Sequence, residues 1–291
     1  MMSQLLQFLL AGMTVGSTYA LAALGYTLVY SASGMINFAQ GEFIMLGAMS
    51  ASALVAAGVP LLPALVVAIA FTTLVGIALA KLAIEPARNA SITSLIIITL
   101  GSGQVIRGAA QLVLGKGNHA LPGLSGDQPL SVFGAALAPQ AVWIMAVTLV
   151  IVFGLMLYFS TTMHGKALLA TSHNRLAAQL VGINTMGILI FSFALSATLG
   201  GIGGVLLAPL TFTSYDAGTM LGLKGFVAAA LGGLGSAPGA VIGGIALGVI
   251  ESLTAAYISS SYKDAVAFVL VILVFLVAPQ GLFGARATDR V

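Results

Sequence analysis

Long apolar runs separated by short polar connections dominate the hydropathy pattern of the chain. About eight runs approach or exceed the roughly 20 residues that an α-helix needs to cross a bilayer. We place them at about 5–30, 37–57, 61–84, 91–114, 139–160, 184–209, 222–252 and 263–281. Because lipid offers the backbone no hydrogen-bond partners, each run is predicted to be helical. The pattern predicts an all-α, polytopic membrane protein with about eight transmembrane helices, the first of which is retained.

The connections between the runs differ in length and polarity. Residues 58–60 form a predicted tight turn, 81–91 a short charged link, and 115–129 a long loop rich in Gly and Pro. The segment 160–184 is polar and is predicted to be helical in its middle. It is too long for a tight helical hairpin, so it is a candidate docking surface for an ATPase. The residues proposed for that contact are Lys166, His173, Asn174 and Arg175.

Composition supports a single membrane domain over residues 1–291. The chain is 59% hydrophobic and 6% charged, whereas soluble domains are about 25% charged. Its net charge of +3 is too small to indicate nucleic-acid binding. There are no cysteines, which excludes disulfides, Cys-ligated metals and thiol nucleophiles. The three histidines fall in predicted loops without metal-ligand spacing, so no metal site is expected.

The Lys and Arg residues predict an orientation with the N-terminus outside. This orientation places five cations in the cytoplasm, which are Lys81, Arg88, Lys166, Arg175 and Lys263. Lys116 then faces outward and Lys224 lies near an outer boundary. Eight full crossings would leave the tail residues Arg286 and Arg290 outside, unless one of the eight segments is re-entrant.

Polar residues interrupt the second apolar run, "GMINFAQGEFIMLGAM". Asn37, Gln40 and Glu42 lie within about one helical turn of each other, after Gly34. A helix that starts inside the membrane has free N–H groups and a partial positive charge at its first turn. We expect Glu42 to cap those N–H groups beside a transport pathway. Direct contact with substrate and a solvated position at the membrane boundary are the alternatives.

A second interruption occurs at 232–239, "GGLGSAPG", where Gly and Pro disfavour a continuous helix. We expect this break to line a pathway at membrane depth, and its candidate residues are Gly235, Ser236 and Pro238; a kink or a loop is the alternative. The segments that follow the two interruptions resemble one another and run in opposite directions on this assignment. Inverted repeats with interrupted helices are typical of transporters, although close packing of small residues would give a similar pattern.

No enzyme motif is evident. Ser102 has no histidine partner within a span, which argues against an intramembrane serine protease. The chain lacks a Walker A motif, so it cannot hydrolyse ATP by itself. Arg107 is expected to extend its side chain toward the membrane surface, and Glu251 is expected at a cytoplasmic interface.

Several stretches together resemble the permease subunit of bacterial branched-chain amino acid ABC importers of the LivH type. The matching stretches are "GMINFAQGEFIMLGA", "EPARNASITSLIIITLGSG", "HGKALLATSHNRLAAQLVGIN", "GGLGSAPGAVIGGIALGVIES" and "APQGLFG". In the first, Gln40 stands where histidine is common in the family. The resemblance covers nearly the whole chain, and the first and fourth stretches are the most specific. A urea or amide permease shares much of this pattern but is often longer at its N-terminus.

The resemblance implies an inner-membrane permease with no cofactor of its own and with ATP bound by partner subunits. The implied partners are a second related permease, two ATPase subunits and a periplasmic substrate-binding protein. Asn37, Gln40 and Glu42 match positions in the family's sequence signature, and the motif alone does not imply that they bind substrate. A passive small-solute channel is less well supported because the paired Asn-Pro-Ala motifs are absent. An ion-coupled transporter would require more carboxylates within the membrane.

Overall fold

A computed structural model describes residues 2–126, 128–132, 134–278 and 280–284. Most of these residues are helical. The helices in chain order are α1 (Met2–Ser33), α2 (Gln40–Ala56), α3 (Leu61–Leu79), α4 (Ile92–Leu114), α5 (Pro139–Thr161), α6 (Met163–His173), α7 (Arg175–Leu180), α8 (Thr185–Leu207), α9 (Ala217–Gly232), α10 (Ala237–Tyr257) and α11 (Lys263–Val277). A π-helical turn, Ala80–Ile84, continues α3. Two short strands, β1 (Leu130–Val132) and β2 (Ala135–Leu137), pair antiparallel.

Within the described residues, six helices are long and apolar enough to cross a membrane. These are α1, α3 with its π-helical turn, α4, α5, α8 and α10, while α2 and α9 are shorter apolar helices of 17 and 16 residues. The prediction of an all-α polytopic membrane protein is therefore confirmed. Each predicted run contains one of the helices except 222–252, which the structure divides between α9 and α10.

The division between α9 and α10 has a backbone cause. Gly233 and Gly235 have φ of 100° and 90°, in the left-handed region that side chains disfavour. Ser236 then caps α10 by accepting a hydrogen bond from the Gly239 N–H at 3.2 Å. Pro238 lies in the first turn of α10, where its missing N–H removes no helical hydrogen bond. The chain consequently reverses direction at this point.

The connections gather at the two ends of the helix bundle. One end holds the C-terminus of α1, the 85–91 link, the α6–α7 segment and the 233–236 break. We call it the cation-rich end, because Lys81, Arg88, Lys166 and Arg175 lie there. At the opposite end, Ser252 of α10 bonds to the Phe8 carbonyl oxygen at 2.7 Å, and His119 pairs with Thr213.

This arrangement corrects the predicted position of Lys263. Because α9 and α10 run in opposite directions, Lys263 at the start of α11 lies at the end opposite the cation-rich end. α11 then returns the chain, and Leu282 donates its N–H to the Leu231 carbonyl oxygen at 2.9 Å. The described chain therefore stops at the cation-rich end, with no re-entrant segment needed. Arg286 and Arg290 lie outside the described residues.

α1 and α10 form an extensive and close helix pair. A Cβ added to Gly248 would lie only 2.3 Å from the Gly16 backbone nitrogen, so glycine is required for the two backbones to approach. α2, α8 and α9 pack around this pair and are largely buried. α5 instead exposes apolar side chains such as Leu149, Val150 and Phe153, as expected of a lipid-facing helix.

Candidate functional site

α2 begins inside the bundle rather than at its end. After Ser33 the chain leaves helical geometry, Gly34 has φ of 72°, and α2 starts only at Gln40. The Phe38 N–H donates to Thr99 Oγ1 at 3.1 Å. Thr99 lies seven residues into α4, roughly 10 Å from its start at 1.5 Å per residue. The first turn of α2 is therefore surrounded by the spanning helices.

Asn37 and Gln40 are both fully buried and hold this start in place. Asn37 Oδ1 accepts a hydrogen bond from the Ala39 N–H at 3.1 Å, which closes the turn that leads into α2. Gln40 Nε2 donates to the Ser196 carbonyl oxygen of α8 at 3.1 Å, and Ser196 Oγ donates to Gln40 Oε1. Two of the three polar residues thus support the interrupted backbone directly.

Glu42 has a different partner from the one predicted. Its Oε1 accepts a charge-assisted hydrogen bond from Arg107 Nη2 of α4, and the two side chains form a salt bridge. No side chain caps the N-terminus of α2, so the expectation that Glu42 does so is wrong. The boundary position is also wrong, since Glu42 is buried. Arg107, expected to extend toward the membrane surface, instead turns inward to this carboxylate.

The N-terminus of α9 meets the N-terminus of α2 beside the same carboxylate. A Cβ on Gly41 would lie 2.0 Å from the Gly218 carbonyl oxygen, and a Cβ on Gly218 would lie 2.7 Å from Glu42 Oε2. Helix N-termini carry partial positive charge, so both helices stabilise the carboxylate. α2 and α9 run from this meeting point toward opposite ends of the bundle. The inverted pair is therefore α2 and α9, and not the predicted pair, because α2 and α10 run in the same direction.

A second buried charge cluster lies between α9, α10, α11 and α1. Lys224 Nζ is 3.1 Å from the Glu251 carboxylate and 2.7 Å from Asp264 Oδ1. Tyr19 donates its hydroxyl hydrogen bond to Glu251 Oε2 at 2.8 Å. Glu251, predicted at a cytoplasmic interface, is instead buried and paired. The signal was available in the sequence, because a charge within an apolar helix requires a counterion.

The remaining predicted residues lie at the cation-rich end. A cavity of about 850 Å³ there is lined by residues that include His173, Arg175, Gly235 and Ser236. Gly235 and Ser236 lie beside the C-terminus of α1 and the α6–α7 junction, so the 232–239 break is the turn between α9 and α10 at the cation-rich end, and its role in lining a pathway stays a prediction. Lys166, His173 and Asn174 are exposed on α6 and at the α6–α7 junction, where Asn174 Oδ1 caps α7 by accepting from the Ala177 N–H at 3.0 Å.

The bundle and its interior define a class of protein. Spanning helices surround two shorter helices that begin within the bundle, and an ion pair lies where those helices meet. Charged groups within membrane spans are costly and mark the working parts of transport proteins. The fold and this site are those of a multi-pass membrane permease.

Comparisons with known proteins identify the family. The model for the branched-chain amino acid transport system / permease component matches residues 8–275. The LivH high-affinity branched-chain amino acid permease of Escherichia coli is 37% identical over 98% of this chain and 97% of its own length. BraD of Pseudomonas aeruginosa, of the same description, is 37% identical over 98% of both chains. The chain belongs to this permease family, as its sequence motifs predicted.

One solved structure shows the same fold at much lower sequence similarity. PsaBC from Streptococcus pneumoniae, solved in complex with a Fab, superposes with a TM-score of 0.53 at 14% identity. The alignment covers 96% of this chain and 97% of that one. The fold therefore persists where sequence identity is low.

Proposed function

We propose that the chain is the transmembrane permease subunit of an ATP-driven importer for branched-chain or related amino acids. The family match over residues 8–275 carries this proposal. Relatives with the same description, LivH and BraD, align along nearly their full lengths. The cation-rich end is the cytoplasmic end, following the bias of Lys and Arg toward cytoplasmic loops. The N-terminus of α1 then faces outward in a bacterial inner membrane.

The partners are a second related permease, two ATPase subunits that bind and hydrolyse ATP, and a periplasmic substrate-binding protein. The 160–184 segment is the docking surface for an ATPase subunit. In support, α7 and the turn after it expose Leu176, Leu180 and Val181 beside Arg175 at the cation-rich end. Large exposed apolar side chains next to a cation are typical of protein interaction surfaces.

The test is reconstitution of the chain with these partners in vesicles. We expect uptake of radiolabelled leucine that requires ATP and the loaded binding protein. Urea or a short-chain amide serves as the competing substrate, because permeases for those solutes share much of the sequence pattern. Uptake of leucine without ATP, or uptake of urea alone, would contradict the proposal.

A further inference from the structure

The Glu42–Arg107 pair retains unused hydrogen-bonding capacity. Arg107 Nη2 bonds to Glu42 Oε1, but Glu42 Oε2 and Arg107 Nε are buried without a hydrogen-bond partner among the described residues. Buried polar atoms in folded proteins are nearly always paired, and unpaired ones point to a bound group or a functional role. Here one unpaired atom is an acceptor on a carboxylate and the other a donor on a guanidinium. The pair can therefore bind a ligand of both charges.

The pair lies beside an exposed polar side chain of α4. The Arg107 side chain is 21% exposed, whereas that of Glu42 is 4% exposed. Gln104 lies one helical turn before Arg107 on the same side of α4, and its side chain is exposed. An exposed glutamine within a span is costly in lipid, so this face borders something other than acyl chains.

The neighbouring side of α4 has the opposite character. Val105 and Leu112 are 72% and 88% exposed, as expected of side chains that face lipid. The change from polar to apolar occurs within one turn of the helix. Lipid contact therefore accounts for one side of α4 and leaves the side next to Arg107 for a polar environment.

An apolar cluster, whose two methionines are fully buried, adjoins the pair on the other side. Met45 and Met49 follow Glu42 on the same face of α2 and pack against Ala110 and Ile106 of α4. Methionine side chains are flexible and adapt to apolar groups of varied shape. The two charges and this cluster together match the three parts of an aliphatic amino acid, which are an ammonium, a carboxylate and a hydrocarbon side chain.

We propose that the Glu42–Arg107 pair is a transit site for the zwitterionic head of an aliphatic amino acid. Glu42 Oε2 accepts from the α-ammonium, and Arg107 donates to the α-carboxylate on the side of α4 that carries Gln104. The exchange replaces one ion pair by two and leaves the net charge of the buried site unchanged. The N-termini of α2 and α9 stabilise Glu42 when Arg107 turns toward the ligand. This inference rests on the proposed amino acid transport.

The decisive experiment separates ligand binding from structural support. Glu42→Gln and Arg107→Gln should each reduce the initial rate of leucine uptake by about tenfold or more, since a charge-assisted hydrogen bond is lost. The double variant removes both charges and leaves no unpaired charge. We expect it to regain wild-type thermal stability while leucine uptake remains at least about tenfold reduced. A double variant that imports leucine at the wild-type rate would show that the pair is structural only.

Cysteine labelling tests access to the site independently of those variants. Because the chain has no cysteine, Gln104→Cys introduces a single thiol beside Arg107, with Val105→Cys as the matched control on the apolar side of α4. A small charged thiol reagent should label Gln104→Cys in the assembled transporter and label the control at least about tenfold more slowly. Equal labelling at both positions, or none at Gln104, would contradict a polar route beside Arg107.

The two proposals fail in different ways. If the wild-type complex does not import leucine, the proposed substrate class is wrong. If the wild type imports leucine and the double variant does so equally well, only the transit site is wrong. Arg107→Lys keeps the charge but not the planar donor geometry, so we expect its uptake to lie between that of wild type and Arg107→Gln.

Discussion

Removal of the Lys224 charge should destabilise the contact between α9, α10 and α11. Lys224→Met keeps much of the apolar length of the side chain but leaves the Glu251 carboxylate without its cation. Lys224 and Glu251 have side-chain exposures of 10% and 6%, so solvent compensates little for the loss. Breaking a buried pair from one side costs about 3–5 kcal/mol. Asp264 is 37% exposed, so its share of this cost is small.

The magnitude can be measured as a shift in thermal stability. At about 2–4 °C per kcal/mol for a large domain, the expected decrease in the apparent Tm of the detergent-purified protein is roughly 6–20 °C. Thermal unfolding followed by intrinsic fluorescence gives this value, and each variant is compared with wild type at the same heating rate because unfolding of membrane proteins is often irreversible.

The matched control is Lys224→Met combined with Glu251→Gln. Glutamine keeps the shape of the carboxylate and still accepts from the Tyr19 hydroxyl, while the unpaired charge is gone. We therefore expect the double variant to recover most of the lost stability. An unchanged Tm in Lys224→Met would refute the ion-pair reasoning. So would a double variant that is less stable than Lys224→Met by the full cost of a second substitution.

Three further predictions test other parts of the structure. Gly218→Val should destabilise the α2–α9 contact by about 1–3 kcal/mol in thermal unfolding, because its Cβ would lie 2.7 Å from Glu42 Oε2, whereas Gly101→Ala should not. Arg175→Glu should reduce co-purification of the ATPase without a change in Tm, and normal co-purification would exclude a docking role. Cysteines at Asn118 and Tyr262 should react with an impermeant reagent from outside, and one at Asn174 should react only after permeabilisation. Labelling of Tyr262→Cys from the cytoplasmic side would mean that α11 crosses the membrane in the opposite direction.

The hydropathy pattern predicted the positions of most helices because each span has to satisfy its own backbone in lipid. It failed at 222–252, where α9 and α10 are apolar throughout and only the glycines between them carry the signal. Hydropathy sums cannot detect a change of backbone direction that two residues with positive φ produce. Because each crossing changes the side of every later connection, this error placed Lys263 at the wrong end of the bundle.

The polar residues show the complementary limit. Asn37, Gln40 and Glu42 were recognisable from the sequence because each is costly in lipid, and all three are buried in the structure. Their roles depended on residues far along the chain, such as Ser196 and Arg107, that spacing along one helix cannot reveal. A capping role was therefore the only local explanation for Glu42.

Charge balance offers a way to find such partners from an amino-acid sequence. A carboxylate and a guanidinium that both lie deep within predicted spans are each costly in the membrane when unpaired. Such residues are therefore expected to form ion pairs with one another in the fold. Glu42 and Arg107 satisfy this condition, and so do Lys224 and Glu251. The two pairs differ in what remains after they form. Glu251 Oε1 and Asp264 Oδ1 also lack a hydrogen bond, but both lie within 3.1 Å of the Lys224 ammonium that joins the helices. Glu42 Oε2 and Arg107 Nε lack a hydrogen bond beside the exposed Gln104 of α4. Unused bonding capacity, rather than burial alone, is what distinguishes the proposed transit site from a structural ion pair.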